Sequence, residues 1–306
     1  MDASTARDIL SLPLEELLSI ANRSRREGVG RNIEICSVIN AKSGACSEDC
    51  KFCAQSAHYF TDIQNHSLKT KDEMIASARA AKANGADRFG VVTSGRTLAA
   101  CEIKIIAEAI RAIREEVGIV PCASLGALSE ESFAVLKDAG LSRYHHNIET
   151  SQRFYPQIVS THDYGERVST IRSAKKMGLE VCAGGVLGMG ETWQDRIDMA
   201  LLLKELAVDS VPLNFLVPIK GTPLEGAKKI SPIEAIRAIA LFRIILKGAT
   251  IKVVAGRESV LKDFQGFMYR AGANGMMIGG YLTIAGRSPE EDRALVAEVQ
   301  KIWNEE

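Results

Sequence analysis

No sign of charge predominates in this 306-residue sequence: Lys+Arg and Asp+Glu both number 38. Such a chain has no basic field to attract nucleic acid or an anionic membrane, so a small-molecule ligand is expected instead. No uncharged stretch approaches the ~20 residues that a membrane-spanning helix needs. Asp2 and Arg7 precede any apolar run, unlike a secretory signal, and the expected compartment is the cytoplasm. Seven cysteines in such a chain are expected to be reduced thiols or metal ligands rather than disulfides. The sequence also lacks a G-x-G-x-x-G after its first predicted strand, which counts against a doubly wound dinucleotide-binding sheet. Gly184-Gly185-Val186-Leu187-Gly188-Met189-Gly190 is glycine-rich, but its spacing differs and it follows the fifth predicted strand. No linker, low-complexity tract or shift in composition divides the chain.

What is present is a regular alternation. Residues 5–27 carry helical periodicity through Leu10, Leu14, Leu17, Leu18 and Ile20, with Pro13 suited to a first helical turn. From Arg31 the period shortens to two through Ile33, Ile35, Ser37 and Ile39, a strand. Helical segments are predicted near 71–84, 98–116, 129–139, 163–177, 191–207 and 232–247, with Gly85, Gly140 and Gly178 at helix ends. Between them lie apolar or β-rich runs at 88–93, 118–124, 143–148, 179–186, 209–217, 250–254 and 276–278. With the first strand these make eight, which predicts an α/β fold of TIM type, a closed parallel (β/α)8 barrel. The predicted organisation is a single domain over 1–306: an N-terminal helical cap (1–30), the barrel (31–285) and a C-terminal helix (286–306) with Pro289 near its start.

The chemistry concentrates in Cys46-Ser47-Glu48-Asp49-Cys50-Lys51-Phe52-Cys53, where three cysteines are spaced C-x3-C-x2-C after the first strand. The spacing is neither that of a zinc finger nor the four-cysteine set that fully ligates an iron–sulfur cluster. Three thiolates on a four-iron cube leave one iron open to bind and activate a ligand, so the loop reads as catalytic. Capture of zinc, or three unrelated thiols, are the plainer alternatives.

Asn40-Ala41-Lys42-Ser43-Gly44-Ala45-Cys46 through Cys53-Ala54-Gln55-Ser56 resembles the biotin synthases, a family of radical S-adenosylmethionine enzymes. The resemblance continues through Tyr144-His145-His146-Asn147-Ile148-Glu149-Thr150-Ser151, Val181-Cys182-Ala183-Gly184-Gly185, Gly188-Met189-Gly190-Glu191-Thr192 and Ser210-Val211-Pro212-Leu213-Asn214. It extends to Lys220-Gly221-Thr222-Pro223-Leu224, Ala255-Gly256-Arg257-Glu258 and Ala271-Gly272-Ala273-Asn274. It implies that Cys46, Cys50 and Cys53 hold a [4Fe–4S] cluster whose open iron chelates S-adenosylmethionine, cleaved to a 5′-deoxyadenosyl radical that attacks unactivated C–H bonds. It further implies that Glu149 binds the cofactor ribose, that Arg167 supports the cofactor and that Phe52 lies near its adenine. The turn from Gly184 and Gly185 to Glu191 is implied to let backbone approach the cofactor. Asn147 and Asn214 are implied to bind the ureido ring of dethiobiotin, for which an amide offers both donor and acceptor. Without the resemblance, Glu149 and Arg167 read as a surface ion pair, the asparagines as turn or strand-end residues, the glycines as a loop, and His145 and His146 as packing or hydrogen-bonding residues rather than metal ligands.

The family carries a second, auxiliary [2Fe–2S] cluster held by three cysteines and an arginine. Two of those positions match Cys122 and Cys182, but the others fall on Gly90 and Lys252. Cys36, on the first strand, offers a replacement ligand. Counted by predicted strands, Cys36, Cys122, Cys182 and Lys252 come from strands one, three, five and seven, which can share one layer of a barrel interior. The expected auxiliary cluster is therefore a [4Fe–4S] type with three cysteine ligands and an open iron for a sulfide, with Lys252 stabilising the anionic sulfur. The rival expectations are buried structural thiols, or a [2Fe–2S] cluster with an unrecognised ligand. Cys101 belongs to neither set and reads as structural.

The expected activity is sulfur insertion into dethiobiotin, a sulfurtransferase reaction. The alternatives are another radical enzyme of the same group, such as the hydrogenase-maturation or methylornithine-forming relatives, or an iron–sulfur electron carrier or zinc-stabilised module. Expected partners are a flavodoxin or ferredoxin reductant, an iron–sulfur assembly system and a second copy in a homodimer, with neither nucleic acid nor membrane.

Overall fold

The computed structural model describes residues 1–306. Two helices open the chain, α1 (Ala3–Leu10) and α2 (Leu14–Val29), where the periodicity predicts one. The break falls at Pro13, whose ψ of 145° is extended, and a proline also drives the residue before it out of the helical region. Then β1 (Glu34–Lys42), α3 (Lys71–Ala83), β2 (Arg88–Thr93), α4 (Ala100–Ala112), β3 (Val120–Ser124) and α5 (Glu130–Asp138) follow in turn. Next come β4 (Arg143–His145), α6 (Tyr164–Lys176), β5 (Glu180–Cys182), β6 (Gly185–Leu187), α7 (Trp193–Glu205), β7 (Ser210–Phe215) and α8 (Pro232–Ile245). The chain ends with β8 (Thr250–Val253), two short helices α9 (Arg257–Leu261) and α10 (Phe267–Arg270), β9 (Gly275–Met277) and α11 (Pro289–Glu305).

All nine strands join one parallel sheet, and β1 pairs with both β2 and β9, which closes it. The fifth predicted strand is interrupted: β5 pairs with β4 and touches β7 at Cys182–Ser210, while β6 pairs with β7. Since β5 and β6 share one stave, the barrel has the eight staves that the sequence predicts. The interruption is at Ala183-Gly184, where a Cβ on Gly184 would lie 2.0 Å from Pro212 O. Only glycine permits the chain to cross there.

Residue parity assigns the two faces of each stave. Ile35, Phe89, Val91, Ala123, Val181, Val211 and Ile251 are buried on the face that meets the helices. The opposite parity faces the axis, and register there sets Cys36 beside Arg88, Gly90 beside Cys122, Cys122 beside Arg143 and His145 beside Cys182. Helices α3, α7 and α11 start at capping boxes, Thr70 with Glu73, Thr192 with Asp195 and Ser288 with Glu291. The C-terminal helix is tied down at both ends: Asp292 pairs with the buried Arg257 at 2.9 Å, and Trp303 stacks under Arg25, whose guanidinium carbon is 3.7 Å from the ring centroid. No helix is long and apolar enough to cross a membrane.

Candidate active site

Beyond β1 the chain turns sharply at Gly44 (φ 76°) and Ala45 (φ 49°), and Cys46 comes to lie against the far side of its own loop. Cys46 N donates to Gln55 O at 3.0 Å, and Ala57 N to Cys46 O at 2.8 Å. The segment after β4 clamps this loop from outside. Lys51 N donates to Ile158 O at 3.0 Å, and the Asp49 carboxylate accepts from Ser160 N at 2.9 Å and Thr161 N at 3.2 Å. Glu48 accepts from Thr161 Oγ1 at 2.7 Å and meets His162 Nδ1 at 2.5 Å. Thus the two residues between Ser47 and Cys50 fix the loop, leaving the cysteines for other work.

Cys46, Cys50 and Cys53 line one chamber of about 190 Å³ at the barrel mouth. Burial pushes the Cys50 thiol well up and the Cys53 thiol up to about 11, with Arg167 pulling the other way. No three His, Cys, Asp or Glu side chains converge closely enough to hold a single metal ion. Zinc draws its ligands to about 2.0–2.3 Å, whereas a cluster gives each thiolate an iron of its own. Three soft thiolates around one chamber are a donor set that fits an iron–sulfur cluster.

Glu149 and Arg167 line the same chamber. They form a buried pair, Arg167 NH1 to Glu149 Oε1 at 3.4 Å, not a surface one. Burial opposes the charge on Arg167, but Glu149, Tyr155 and Cys50 more than offset it and raise its pKa. Arg167 also donates to Tyr155 Oη at 2.8 Å and Asn147 O at 3.0 Å. Glu149 has a left-handed backbone (φ 63°), held by Glu149 N to Gly184 O at 3.2 Å and Val186 N to Glu149 O at 2.9 Å. A Cβ on Gly185 would lie 2.1 Å from Glu149 O, so Gly184 and Gly185 are glycines because chain meets chain there. Glu191, expected at the cofactor, instead closes its own turn. It accepts from Gly188 N, Met189 N and Arg196 Nε, each at 2.8 Å, and lines neither chamber.

A second chamber of about 330 Å³ runs down the barrel axis, lined by Cys36, Cys122, Cys182 and Lys252 together with Asn147 and Asn214. Phe52, Cys53, His145, Asn147 and Glu149 line both chambers, so the two adjoin. Lys252 Nζ donates to Cys36 Sγ at 2.9 Å. Burial raises the Cys36 thiol to about 12 despite Lys252. Cys182 goes the other way: against burial, Lys252, His145 and Arg143 draw it down to about 6. Gly90, where the resemblance places a cysteine, is crowded by its neighbour, since a Cβ there would lie 3.1 Å from Val38 Cγ1. Three soft thiols with a cation beside them again fit an iron–sulfur group.

Both asparagines bond to backbone. Asn147 accepts from Gly184 N at 3.1 Å, and Asn214 donates to Gly185 O at 3.1 Å and accepts from Ala255 N at 3.2 Å. Each amide carries two N–H groups and two oxygen lone pairs, so each keeps donor and acceptor capacity toward the chamber. Cys101 lies exposed on the first turn of α4, outside both chambers and unlike a packed structural thiol.

His145, expected to pack or hydrogen-bond, does the latter beside Cys182; that it shares the parity of Asn147 and lines both chambers went unread. Sequence reasoning also missed a charged layer beneath the inner thiols, made by Glu34, Arg88, Arg143 and Glu180. Glu34 Oε2 pairs with Arg88 at 2.7 Å and Oε1 with Arg143 at 2.6 Å, and Glu180 takes both arginines at 3.0 and 2.8 Å. Each of these four lies two residues before an axis-facing position, at Cys36, Gly90, His145 and Cys182, so alternation was the available signal.

A closed parallel barrel with three cysteines on the loop after its first strand defines a radical S-adenosylmethionine enzyme, and residues 41–203 match that superfamily. Residues 212–300 match the biotin and thiamin synthesis associated domain. The chain is 49% identical over 284 residues to biotin synthase of Citrifermentans bemidjiense, covering 93% of this chain and 87% of that one. It is 46% identical over 297 residues to biotin synthase of Thermotoga petrophila, covering 97% and 98%. The chain belongs to the biotin synthase family. Among solved structures, methylornithine synthase superposes with a TM-score of 0.82 at 20% identity, covering 98% of this chain and 92% of that one. The hydrogenase maturase HydG from Carboxydothermus hydrogenoformans gives 0.82 at 18% identity, covering 97% and 74%; both likenesses concern the fold. Membership makes the protein a radical sulfurtransferase that uses a [4Fe–4S] cluster with S-adenosylmethionine and has an auxiliary iron–sulfur cluster.

Proposed function

We propose that the two thiol sets divide the work of making biotin from dethiobiotin, Cys46, Cys50 and Cys53 holding the radical-generating cluster and Cys36, Cys122 and Cys182 the auxiliary one. When bound, these groups supply 5′-deoxyadenosyl radicals, which break two unactivated C–H bonds, and the sulfur that is inserted. The observation that carries this reading is that the two chambers adjoin: Cys46, Cys50 and Cys53 line the outer one, Cys36, Cys122 and Cys182 line the inner one beside Asn214, and Asn147 borders both. An electron carrier has no use for such an interior.

The chain's own residues orient the reactants. Glu149 takes the cofactor ribose, Arg167 fixes Glu149, and Phe52 borders the adenine. Gly184 and Gly185 serve the cofactor through Glu149, by allowing the backbone approach that holds it. Asn147 and Asn214 present their spare amide hydrogens and lone pairs to the ureido ring. At the inner set only three cysteines are available, as at the outer one, which supports a [4Fe–4S] cluster with one iron free for a sulfide that becomes the inserted sulfur. Lys252, already on Cys36 Sγ, stabilises that anionic sulfur. The reading includes a flavodoxin or ferredoxin reductant, an assembly system that loads both clusters, a homodimer and a cytoplasmic location. Its division into cap (1–30), barrel (31–285) and C-terminal helix (286–306) forms one folding unit, supported by a core that runs without a break from Ala6 to Trp303.

Anaerobic incubation with S-adenosylmethionine, a reductant, sulfide and dethiobiotin, read by mass spectrometry, tests the division of labour. Cys46→Ala is expected to abolish both 5′-deoxyadenosine and biotin, and Cys122→Ala to keep 5′-deoxyadenosine and lose biotin. Biotin formed by Cys122→Ala contradicts the donor role. Mössbauer spectra of reconstituted protein test the inner cluster's type: a diferric-pair signature there in place of cubane signals rejects the [4Fe–4S] assignment.

A further inference from the structure

Three cations meet around one carboxylate at the floor of the inner chamber. Glu34 Oε1 accepts from Lys252 Nζ and from Arg143 NH1, both at 2.6 Å, and Oε2 accepts from Arg88 Nε at 2.7 Å. Glu180, 41% exposed at its side chain, is the other carboxylate of the layer and takes only the two arginines. Two carboxylates against three cations leave this layer one positive charge in excess, which in a buried place calls for an anionic partner among the thiols above it. The excess is directed upward, because Lys252 Nζ, alone of the three cations, also reaches a cysteine, Cys36 Sγ at 2.9 Å.

The geometry makes Lys252 dependent on Glu34. A lysine head is a point charge on a flexible stem, without the rigid fork that lets an arginine orient itself, so its position is set by the acceptor that holds it. Glu34 is that acceptor, and β1 places it two residues before Cys36 on the same face of the strand, with Oε1 3.7 Å from Cys36 Sγ. One carboxylate therefore fixes the cation and, through the strand, its distance from the thiol.

We propose that Glu34 is the positioning residue of the inner site, holding Lys252 against Cys36 so that the ammonium faces the sulfur carried between Cys36, Cys122 and Cys182. The inference rests on the reading that these three cysteines hold the auxiliary cluster. Outer-shell partners of metal ligands typically change metal affinity about ten- to a hundredfold when mutated, and Glu34 stands in that shell behind Cys36, 3.7 Å from its Sγ.

The test uses the full chain, reconstituted anaerobically, with iron release to a chelator followed separately for each cluster by Mössbauer spectroscopy. Glu34→Gln keeps the size of the side chain and removes its charge, and is expected to speed iron loss from the inner cluster about ten- to a hundredfold while leaving the outer cluster unchanged. Lys252→Met is expected to do the same. The double variant Glu34→Gln/Lys252→Met is expected to be no worse than Lys252→Met alone, because Glu34 acts through Lys252, and Glu34→Asp is expected to recover part of the retention. Additive losses in the double variant, or unchanged retention in Glu34→Gln, overturn the proposal and leave Glu34 a structural partner of the two arginines. If Glu34→Gln does not fold, Glu34→Asp and the double variant, which removes both members of the pair, carry the comparison. Wild-type protein that holds a single cluster refutes the reading of the three cysteines, and this inference with it, before any variant is made.

Discussion

Glu149 has a backbone conformation that a glutamate seldom takes, and its neighbour across the break in the fifth stave makes that possible. Gly185 leaves room for Glu149 O where a Cβ would lie 2.1 Å away. Gly185→Ala is expected to lower stability by about 1–3 kcal/mol and to reduce S-adenosylmethionine cleavage, since Glu149 must move. Gly226→Ala, where nothing lies within 4 Å of the new Cβ, is the control expected to leave both unchanged. Urea unfolding and 5′-deoxyadenosine formation check both. The outer cysteines were legible because their argument fits inside eight consecutive residues, Cys46 to Cys53. Glu34, Arg88, Arg143 and Glu180 were not, because a charged residue on a strand ordinarily reads as facing water. Only barrel closure turns that face inward and makes the charges answer one another.

Helix α7 is held at its start by a buried carboxylate. Asp195 accepts from Ser151 Oγ at 2.6 Å, Thr192 N at 2.8 Å and Thr192 Oγ1 at 2.7 Å. Although burial raises its pKa, these hydrogen bonds and Arg153 bring it below the ordinary value of 3.8. A carboxylate depressed in the folded state stabilises above its unfolded pKa, and that stability is lost as pH falls through the folded one. Asp195→Asn is therefore expected to be less stable at pH 7 by about 1 kcal/mol, the usual worth of a cap, and to lose less further stability than the wild type as pH falls below about 4. Thermal unfolding at pH 7, 5 and 3 measures this. The helices around the barrel were legible from their periodicity and glycine ends, and α3 to α8 lie within a few residues of expectation. The split of the fifth strand was not, since a Gly-Gly pair reads equally as a loop, and only Pro212 O and Glu149 O, far along the chain, give it meaning. The short helices α9 and α10 escaped notice because five and four residues are too few to display a period.

The two ends of the chain support each other across the barrel. Arg25, with a fully buried side chain, stacks on Trp303 and pairs with Glu306 at 2.6 Å, and Asn22 donates to the same carboxylate at 2.9 Å. We propose that cap, barrel and C-terminal helix unfold together. Trp303→Ala is expected to lower stability by about 3–5 kcal/mol while keeping a single cooperative transition. Fluorescence and far-ultraviolet circular dichroism that report separate midpoints in the wild type reject the single unit.

Closure of the ring between β1 and β9 also sets an order in time. The outer thiols occupy one short loop and are close along the chain once residue 53 has been synthesised, although the segment that clamps the loop, Ile158 to His162, follows about a hundred residues later. The inner set is drawn from Cys36, Cys122, Cys182 and Lys252, and its enclosure waits for β9 at Gly275–Met277 to seal against β1. Contacts so distant in sequence form late, after the entropy of closing the intervening chain has been overcome. The nascent protein therefore carries its outer thiols side by side well before it has an interior, and after closure the axial chamber adjoins the mouth where that loop stands.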